Sequence, residues 1–409
     1  MKRILLFLFL LPVINPASTV AQSSASTLDV VSWNIEWFGD ANNGPVNNDL
    51  QEANAKTIMR YLNADLYGLV EIVDSMRIRR LVDSLGNTEF GFAISPYCSG
   101  NTTGTGSTWL NGQKLAFIYR KSIFSNVSLK GLLRTNSSGA AYVNWASGRF
   151  PYMLSATVTI NSVSKNINFI VIHGKAGSTV SDYDRRRGGA QELKDSLDVY
   201  YPSALNMIIG DYNDALNQTI SSGAGPETSY QPIVVDSTDA DHYKSITLPL
   251  AVAGQTSMLN FPNVVDNHII SNELVPYYVP GSAQIRTDVI NVVPDFVTTQ
   301  NTSDHYPVFS KYDLSGLITA VPNIPAAELG IVAFPNPFLG EINMKVSKTL
   351  TNVQLNLLNM QGQTIRSMQY GLINAGSTIQ LNNISLPKGI YFLQVQTKQF
   401  RTVIKLTHL

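Results

Sequence analysis

The hydrophobic pattern of the chain switches repeatedly between two periods. LDVVSWNIEWF, from Leu28, is a continuous apolar run of strand length, and QEANAKTIMRYLN places Ile58, Met59 and Leu62 at helical spacing. DLYGLVEI is a second strand and SMRIRRLVDSL a second helix; KLAFIYRK, YMLSATVTI and NINFIVIHGKA are further strands. DRRRGGAQELKDSLDVYY is a helix whose first half is weakened by adjacent glycines, and it leads into the strand NMIIGDYND. NVVDNHIIS and YPVFSKY are later strands. Strands and helices mixed in this order predict an α/β fold, a four-layer sandwich of two packed sheets flanked by helices.

The pattern changes after Tyr312. SGLITAVPNIPAAELGIV has two prolines and no clear period, which predicts a linker over 314–332. INMKVS, VQLNLLN, STIQLN, IYFLQVQT and TVIKLT then alternate apolar and polar residues between turn signals, as in a small all-β sandwich at 333–409. At the other end, Lys2 and Arg3 precede an apolar run from Ile4 to Ile14 and small residues around Ala21. That is the pattern of a secretory signal peptide over 1–21, too short to span a bilayer, which leaves 22–313 as the main domain of an exported protein.

Composition sharpens this picture in two respects. Cys98 is the only cysteine, so core burial or bound metal, and no internal disulfide, must stabilise the exported chain. The 29 basic and 29 acidic residues balance, but they are unevenly spread. Without Lys2 and Arg3 the remainder is −2, and the seven basic residues and one acidic residue of 333–409 make that segment +6, leaving −8 on residues 22–332, the main domain with its linker. An acidic body does not attract polyanions through its overall field.

Candidate chemistry lies where polar residues end apolar strands, since polar groups there are costly unless paired or functional. Asn34 and Glu36 end the first strand, Glu71 the second, His173 the strand Ile167–Ile172, and Asp211 and Asn213 the strand Met207–Ile209. Asp266, Asp304 and His305 stand at the starts of later strands. Each has an ordinary reading of its own as a turn residue, a cap or a solvated loop position. The signal is their joint order.

In that order, WNIEW at Trp33, LVEI at Leu69, IHGKA at Ile172, IIGDYND at Ile208, VVDNHI at Val264 and SDHYPV at Ser303 resemble the endonuclease/exonuclease/phosphatase superfamily, over about Leu28 to Tyr312. The resemblance implies a metal-dependent hydrolase of phosphate esters. Glu71 would be the principal metal carboxylate, with Asn34, Glu36 and Asp304 completing a shell for Mg²⁺ or Mn²⁺, Ca²⁺ being the third choice. His305 would be the general base, oriented by Asp266, with Asp304 facing the metal and His305, its neighbour on a strand, facing the other way. Asp211 and Asn213 would position the nucleophile and a phosphoryl oxygen, and His173 would stabilise charge on the scissile phosphate. The family pattern runs into apolar residues after Asp266, where this chain has Asn267 and His268, so His268 is a rival for the orienting role.

Lys175, Arg185 and Arg186 follow His173 closely enough to reach a phosphate backbone, although a solvated helix start is the plainer reading of the arginines. Phe334-Pro-Asn-Pro337, Asn359-Met-Gln-Gly362, Leu386-Pro-Lys-Gly-Ile-Tyr-Phe392 and the strand Val403–Leu406 resemble the type A sorting domain of type IX secretion. That resemblance implies handling by the type IX secretion machinery and a secreted or outer-membrane-surface location. The expected activity is a secreted endonuclease with nucleic acid as its substrate. A sphingomyelinase-like or other phosphoesterase is the alternative, and a non-catalytic surface protein is the reading from a different class.

Overall fold

The computed structural model describes residues 26–234, 243–315, 324–360, 364–382, 386–397 and 400–409. The expected signal peptide and residues 316–323 of the expected linker lie outside these residues. The strands of the main domain are β1 (Leu28–Phe38), β2 (Leu66–Ile72), β3 (Phe90–Cys98), β4 (Lys114–Arg120), β5 (Phe124–Gly131), β6 (Tyr152–Ile160), β7 (Val163–His173), β8 (Leu205–Asp211), β9 (Lys244–Ser245), β10 (Asp266–Ile270), β11 (Gln284–Ile285) and β12 (Val308–Tyr312). They form two six-stranded sheets, in the orders β11-β12-β1-β2-β4-β3 and β5-β6-β7-β8-β10-β9. The helices that matter here are α1 (Asn48–Leu62), α2 (Ser75–Gly86), α3 (Gly106–Asn111), α4 (Ala140–Asn144) and α5 (Val180–Tyr200).

Strand alternation sorts the side chains into layers. Leu28 and Val30 of β1, Leu66 and Val70 of β2, Ile167, Phe169 and Val171 of β7, and Met207 and Ile209 of β8 fill one core between the sheets. The intervening Val31, Trp33 and Ile35 of β1 pack outward against Ile58, Met59 and Leu62 of α1 and Ile78, Leu81 and Val82 of α2. Ile170, Ile172 and Ile208 pack outward against Ala190, Leu193 and Leu197 of α5. Strands buried on both faces read as continuous apolar runs, which is why β1, β2, β7 and β8 stand out in the sequence. The edge strands β3 and β5 do not. β3 carries Pro96, tolerated only at an edge, and β5 is largely exposed.

The helix α5 begins earlier than the paired glycines suggest. Thr179 caps it: its hydroxyl accepts from the Asp182 amide at 3.2 Å while the Asp182 carboxylate accepts from the Thr179 amide at 3.3 Å. The three arginines therefore lie more than a turn inside the helix and not at its start. A Cβ at Gly189 would come within 3.1 Å of the Trp145 indole, so the glycines let the α4 segment press onto α5.

The C-terminal strands β13 (Ile331–Phe334), β14 (Ile342–Val346), β15 (Leu350–Leu358), β16 (Thr364–Ile373), β17 (Thr378–Leu381), β18 (Gly389–Gln396) and β19 (Arg401–His408) form a three-stranded and a four-stranded sheet. These close over Met344, Val346, Leu355, Leu393, Val395 and Leu406, giving an all-β unit with its own core.

His268 joins the two large sheets. From β10 in one sheet, its Nδ1 lies 2.8 Å from Ser310 Oγ and its Nε2 3.0 Å from Ser32 Oγ, both in the other sheet. Complete burial lowers its pKa from the usual 6.5 to about 3. The unfolded chain therefore binds a proton that the folded chain refuses between these values, so stability is lost as pH falls through that window, by about 1.4 kcal/mol per pH unit. His268→Gln is expected to lower Tm at pH 7 yet flatten its decline between pH 6.5 and 4. Thermal melts of both proteins across that range check it, and parallel declines would contradict the assignment.

Candidate active site

Topology brings six strand ends to one place. β1 runs parallel to β2 and β7 parallel to β8, so each pair ends on the same side of its sheet. β10 is antiparallel to β8 and β12 antiparallel to β1, so these two strands begin where the others finish. Register aligns His173 with Asp211, and Asp211 with Asp266. Strand alternation then continues the inner faces: Leu28, Val30, Ser32, Asn34 on β1; Phe169, Val171, His173 on β7; Met207, Ile209, Asp211 on β8; and Ile270, His268, Asp266 read backwards along β10. The space between the sheets thus changes from apolar, through a serine and histidine layer, to a layer of carboxylates, amides and imidazoles.

Asn34 sits at the centre of that last layer. Its Nδ2 donates to Glu71 Oε1 at 3.2 Å and Asp211 Oδ2 at 3.0 Å, and lies 3.4 Å from His305 Nε2. Its Oδ1 accepts from the Glu36 amide at 2.9 Å. His305 Nδ1 is 2.7 Å from Asp266 Oδ2, and its Nε2 faces Asp304 Oδ1 at 3.7 Å and Asp211 Oδ2 at 3.9 Å. His173 Nε2 lies 3.5 Å from Asp211 Oδ2 and 3.6 Å from Glu71 Oε1. Asn213 donates from its backbone to Asp211 Oδ1 at 2.7 Å and from Nδ2 to Gly174 O at 3.3 Å.

The backbone is strained where these groups are aimed. Glu71 has φ 64°, at a break in the β2–β4 register, and this turns its side chain off the outer face that alternation would give it. Glu36, Trp37 and Asn213, with φ of 42°, 49° and 50°, are also in the left-handed region, at a cost of roughly 1–2 kcal/mol each. The strain is held by buried bonds: Trp37 N donates to Glu71 Oε2 at 2.9 Å, and Gln51 Nε2 to the carbonyls of Ile35 and Glu36 at 2.8 Å each and of Thr302 at 3.1 Å.

The charges are crowded. Burial first, then Asp304 and Glu71, raises Glu36 to about 7. Burial raises Glu71, and burial with Asp266 raises Asp211 to about 7. Burial, then Arg149 and His305, keeps His173 neutral, well below its usual value. For His305 burial acts the opposite way from Asp266, Asp211 and Asp304, and the three carboxylates win, raising it well above 6.5. Glu36 Oε2, Asp266 Oδ1 and His173 Nδ1 are buried with no partner among the described residues. Carboxylates that resist ionising together, one of them with a free buried oxygen, fit a hard divalent cation bound by oxygen. Two ligand sets compete. Asp211, Asp266 and His305 offer ligand atoms within 4.8 Å of one another. Their contacts favour hydrogen bonding instead, because His305 Nδ1 is bonded to Asp266 and both Asp211 oxygens already accept. Each set retains one free buried oxygen, Asp266 Oδ1 in the first and Glu36 Oε2 in the set of Glu36, Glu71 and Asp304 beside Asn34.

Nine of the twelve expected site residues thus gather in one cluster. The expected basic residues behave differently. Arg186 is buried, its guanidinium held by Ser229 Oγ at 3.2 Å, Ser221 Oγ at 2.7 Å and the carbonyls of Lys175 and Gly177 at 2.8 and 2.7 Å. It faces the protein interior because it lies on the inner face of α5, and it is not available to a substrate. Arg185 is turned to Val143 O at 2.8 Å, and Lys175 pairs with Asp182 at 2.9 Å. Asp304 and His305 precede β12 in an irregular segment, so strand alternation does not separate them and both face the cluster. His268 is engaged with Ser32 and Ser310, which leaves Asp266 as the partner of His305. Sequence patterns overlooked Arg149, which is buried behind His173; it is the single charged residue between Arg134 and Lys165, and that isolation was its signal.

Residues 332–407 match the family described as a secretion system C-terminal sorting domain. No curated protein matches the chain. Among solved structures, an endonuclease/exonuclease/phosphatase from Beutenbergia cavernae DSM 12333 is 15% identical with a TM-score of 0.47, over 93% of this chain and 99% of that one. The human Nocturnin catalytic domain with bound sulfate anion is 11% identical with a TM-score of 0.46, over 70% of this chain and 94% of that one. An endonuclease/exonuclease/phosphatase from Bacteroides vulgatus is 14% identical with a TM-score of 0.45, over 70% and 98%. At these values none transfers an activity or a residue role.

Gly210 sets the spacing of β7 and β8 at the cluster. It has φ 130°, and a Cβ there would lie 2.1 Å from Ile172 O. Gly210→Ala is expected to destabilise the protein by roughly 3 kcal/mol or more. Denaturant unfolding measures this, and a loss under 1 kcal/mol would mean that the strands separate easily.

Proposed function

From a chain that ends in a type IX secretion sorting domain, and so is exported to the cell surface or the extracellular space, we propose that residues 22–313 are a metal-dependent phosphodiesterase cutting DNA or RNA. Residues 314–332 serve as the linker and 333–409 as the sorting unit. The observation that carries the reading is the His305–Asp266 pair at 2.7 Å, aimed at a crowded carboxylate set beside Asn34. The pair has the geometry of a general base and its orienter.

The residues then divide the work. Asp266 accepts from His305 Nδ1 and thereby fixes the His305 tautomer, so that Nε2 faces the cluster and accepts a proton from the attacking water. Asn34 holds Glu71 and Asp211 in place. Asp211 and Asn213 orient the water and the phosphoryl group. Neutral His173 offers an N–H donor to the oxygen on which charge develops. Glu36, Glu71, Asp304 and Asn34 would hold Mg²⁺ or Mn²⁺, with Ca²⁺ as the third choice. A cation bound there supplies Lewis-acid polarisation of the phosphoryl group and offsets the carboxylate charge that raises His305.

A lipid or small-molecule phosphoester is the second reading. It is favoured by a charge of −8 over residues 22–332 and by the engagement of Lys175, Arg185 and Arg186 within the protein.

Nicking of supercoiled plasmid by the full chain, with Mg²⁺ and with EDTA, is expected to be metal-dependent and to fall about 10²–10⁴-fold in His305→Ala. Cleavage of sphingomyelin without plasmid nicking would transfer the same site to the second reading. Separately, Mg²⁺ or Mn²⁺ is expected to raise Tm, by an amount equivalent to about 2.7 kcal/mol at a hundred times Kd. Glu71→Gln is expected to lose that response, and an undiminished rise would place the cation elsewhere.

A further inference from the structure

The cluster is built across a seam. Asn34, Glu71 and His305 come from one sheet, and His173, Asp211 and Asp266 from the other. Distances such as the 3.6 Å between His173 and Glu71 are therefore set by how the sheets are fastened at this end. His268 spans the seam deeper in the domain, and Arg149 spans it at the level of the cluster without belonging to it. Arg149, in the segment before β6, donates from Nε to His173 O at 3.2 Å, from Nη2 to Gly174 O at 2.9 Å, and from Nη1 to Gln113 Oε1 at 2.7 Å. Gln113 immediately precedes β4 of the opposite sheet. Arg149 is 5% exposed, and it forms no hydrogen bond or close ion pair with a carboxylate among the described residues. Burying a guanidinium on neutral acceptors is costly. Its charge is balanced at longer range by Glu71 and Asp211.

Resting on the reading of the cluster as a phosphodiesterase site, we infer that Arg149 is a positioning residue, fixing His173 across the sheet seam through the His173 and Gly174 carbonyls and Gln113. All three nitrogens of the guanidinium are engaged on protein, so it acts through His173 and not by gripping substrate. A guanidinium suits the task because its planar fork meets several acceptors at fixed angles, which an ammonium does not. The turn it holds has no slack: a Cβ at Gly174 would lie 2.4 Å from Tyr212 O. The Gly174 amide, donating to Asp211 O at 2.8 Å, reports the state of the turn.

The test combines a double-mutant cycle with hydrogen exchange on the full chain. Arg149→Met is expected to lower kcat 10- to 100-fold with KM within about twofold, and to have no further effect in the His173→Ala background. In metal-free protein it is expected to speed exchange of the Gly174 amide at least tenfold, with amides of β15 unchanged. Gln113→Ala should show smaller effects in the same direction, and Gln113→Glu, which restores an acceptor, should recover activity. If Arg149→Met does not fold, the Gln113 variants carry both measurements. Equal losses of kcat with and without His173, or unchanged Gly174 exchange, would overturn the inference. If the unaltered chain hydrolyses none of the phosphoesters, the functional reading fails by itself, and the exchange result alone decides whether Arg149 holds the turn.

Discussion

The placement of Asn34, His173, Asp211 and Asp266 at the candidate site depends on the two-residue alternation of strands that are buried on both faces. A side chain on β1, β7, β8 or β10 either faces the opposite sheet or faces a helix, and the assignment persists to the strand's end. Leu28, Val30, Ser32 and Asn34 therefore share one face, as do Phe169, Val171 and His173. A one-residue slip in any of these strands would turn its functional group towards a helix. The same apolar burial that holds the sheets together thus fixes the register of the polar layer.

That layer is unfavourable by itself. Burial first, and neighbouring carboxylates after it, raise Glu36 and Asp211 to about 7. Four non-glycine residues nearby sit in the left-handed region. Such groups persist only where the surroundings over-determine them, and here the bonds from Gln51, Trp37, Ser303 and Arg149 do so. Ser303 Oγ donates to Asn34 O at 2.7 Å and accepts from the His305 amide at 2.9 Å, while Trp33 Nε1 donates to His305 O at 2.9 Å. Preorganisation of this kind lets a site act on charge without rearranging.

Stability is drawn from packing, since the single cysteine is buried and free. The main domain has three large apolar clusters, one between the sheets and one under each helical layer, and the sorting domain has its own. The charge asymmetry follows the same division. The +6 segment is the one matched to secretion, and the −8 segment is the one with the candidate site.

The sequence by itself determined what local periodicity and composition encode. Doubly buried strands announced themselves as apolar runs, helices through the spacing of Ile58, Met59 and Leu62, and site positions through polar residues at strand ends. The all-β tail was legible from its alternation. Tertiary structure decided what depends on partners distant in the chain. Edge strand β5 has too little burial to show a pattern, and β3 is interrupted by Pro96. Arg186 looked available because three consecutive arginines suggest a solvated face, yet the orientation of α5 buries one of them. Arg149 gave no motif, since its partners lie 24, 25 and 36 residues away. Asp266 and His268 are two residues apart on one face of β10, and only the opposite sheet, with serines facing one and His305 the other, gave them different roles.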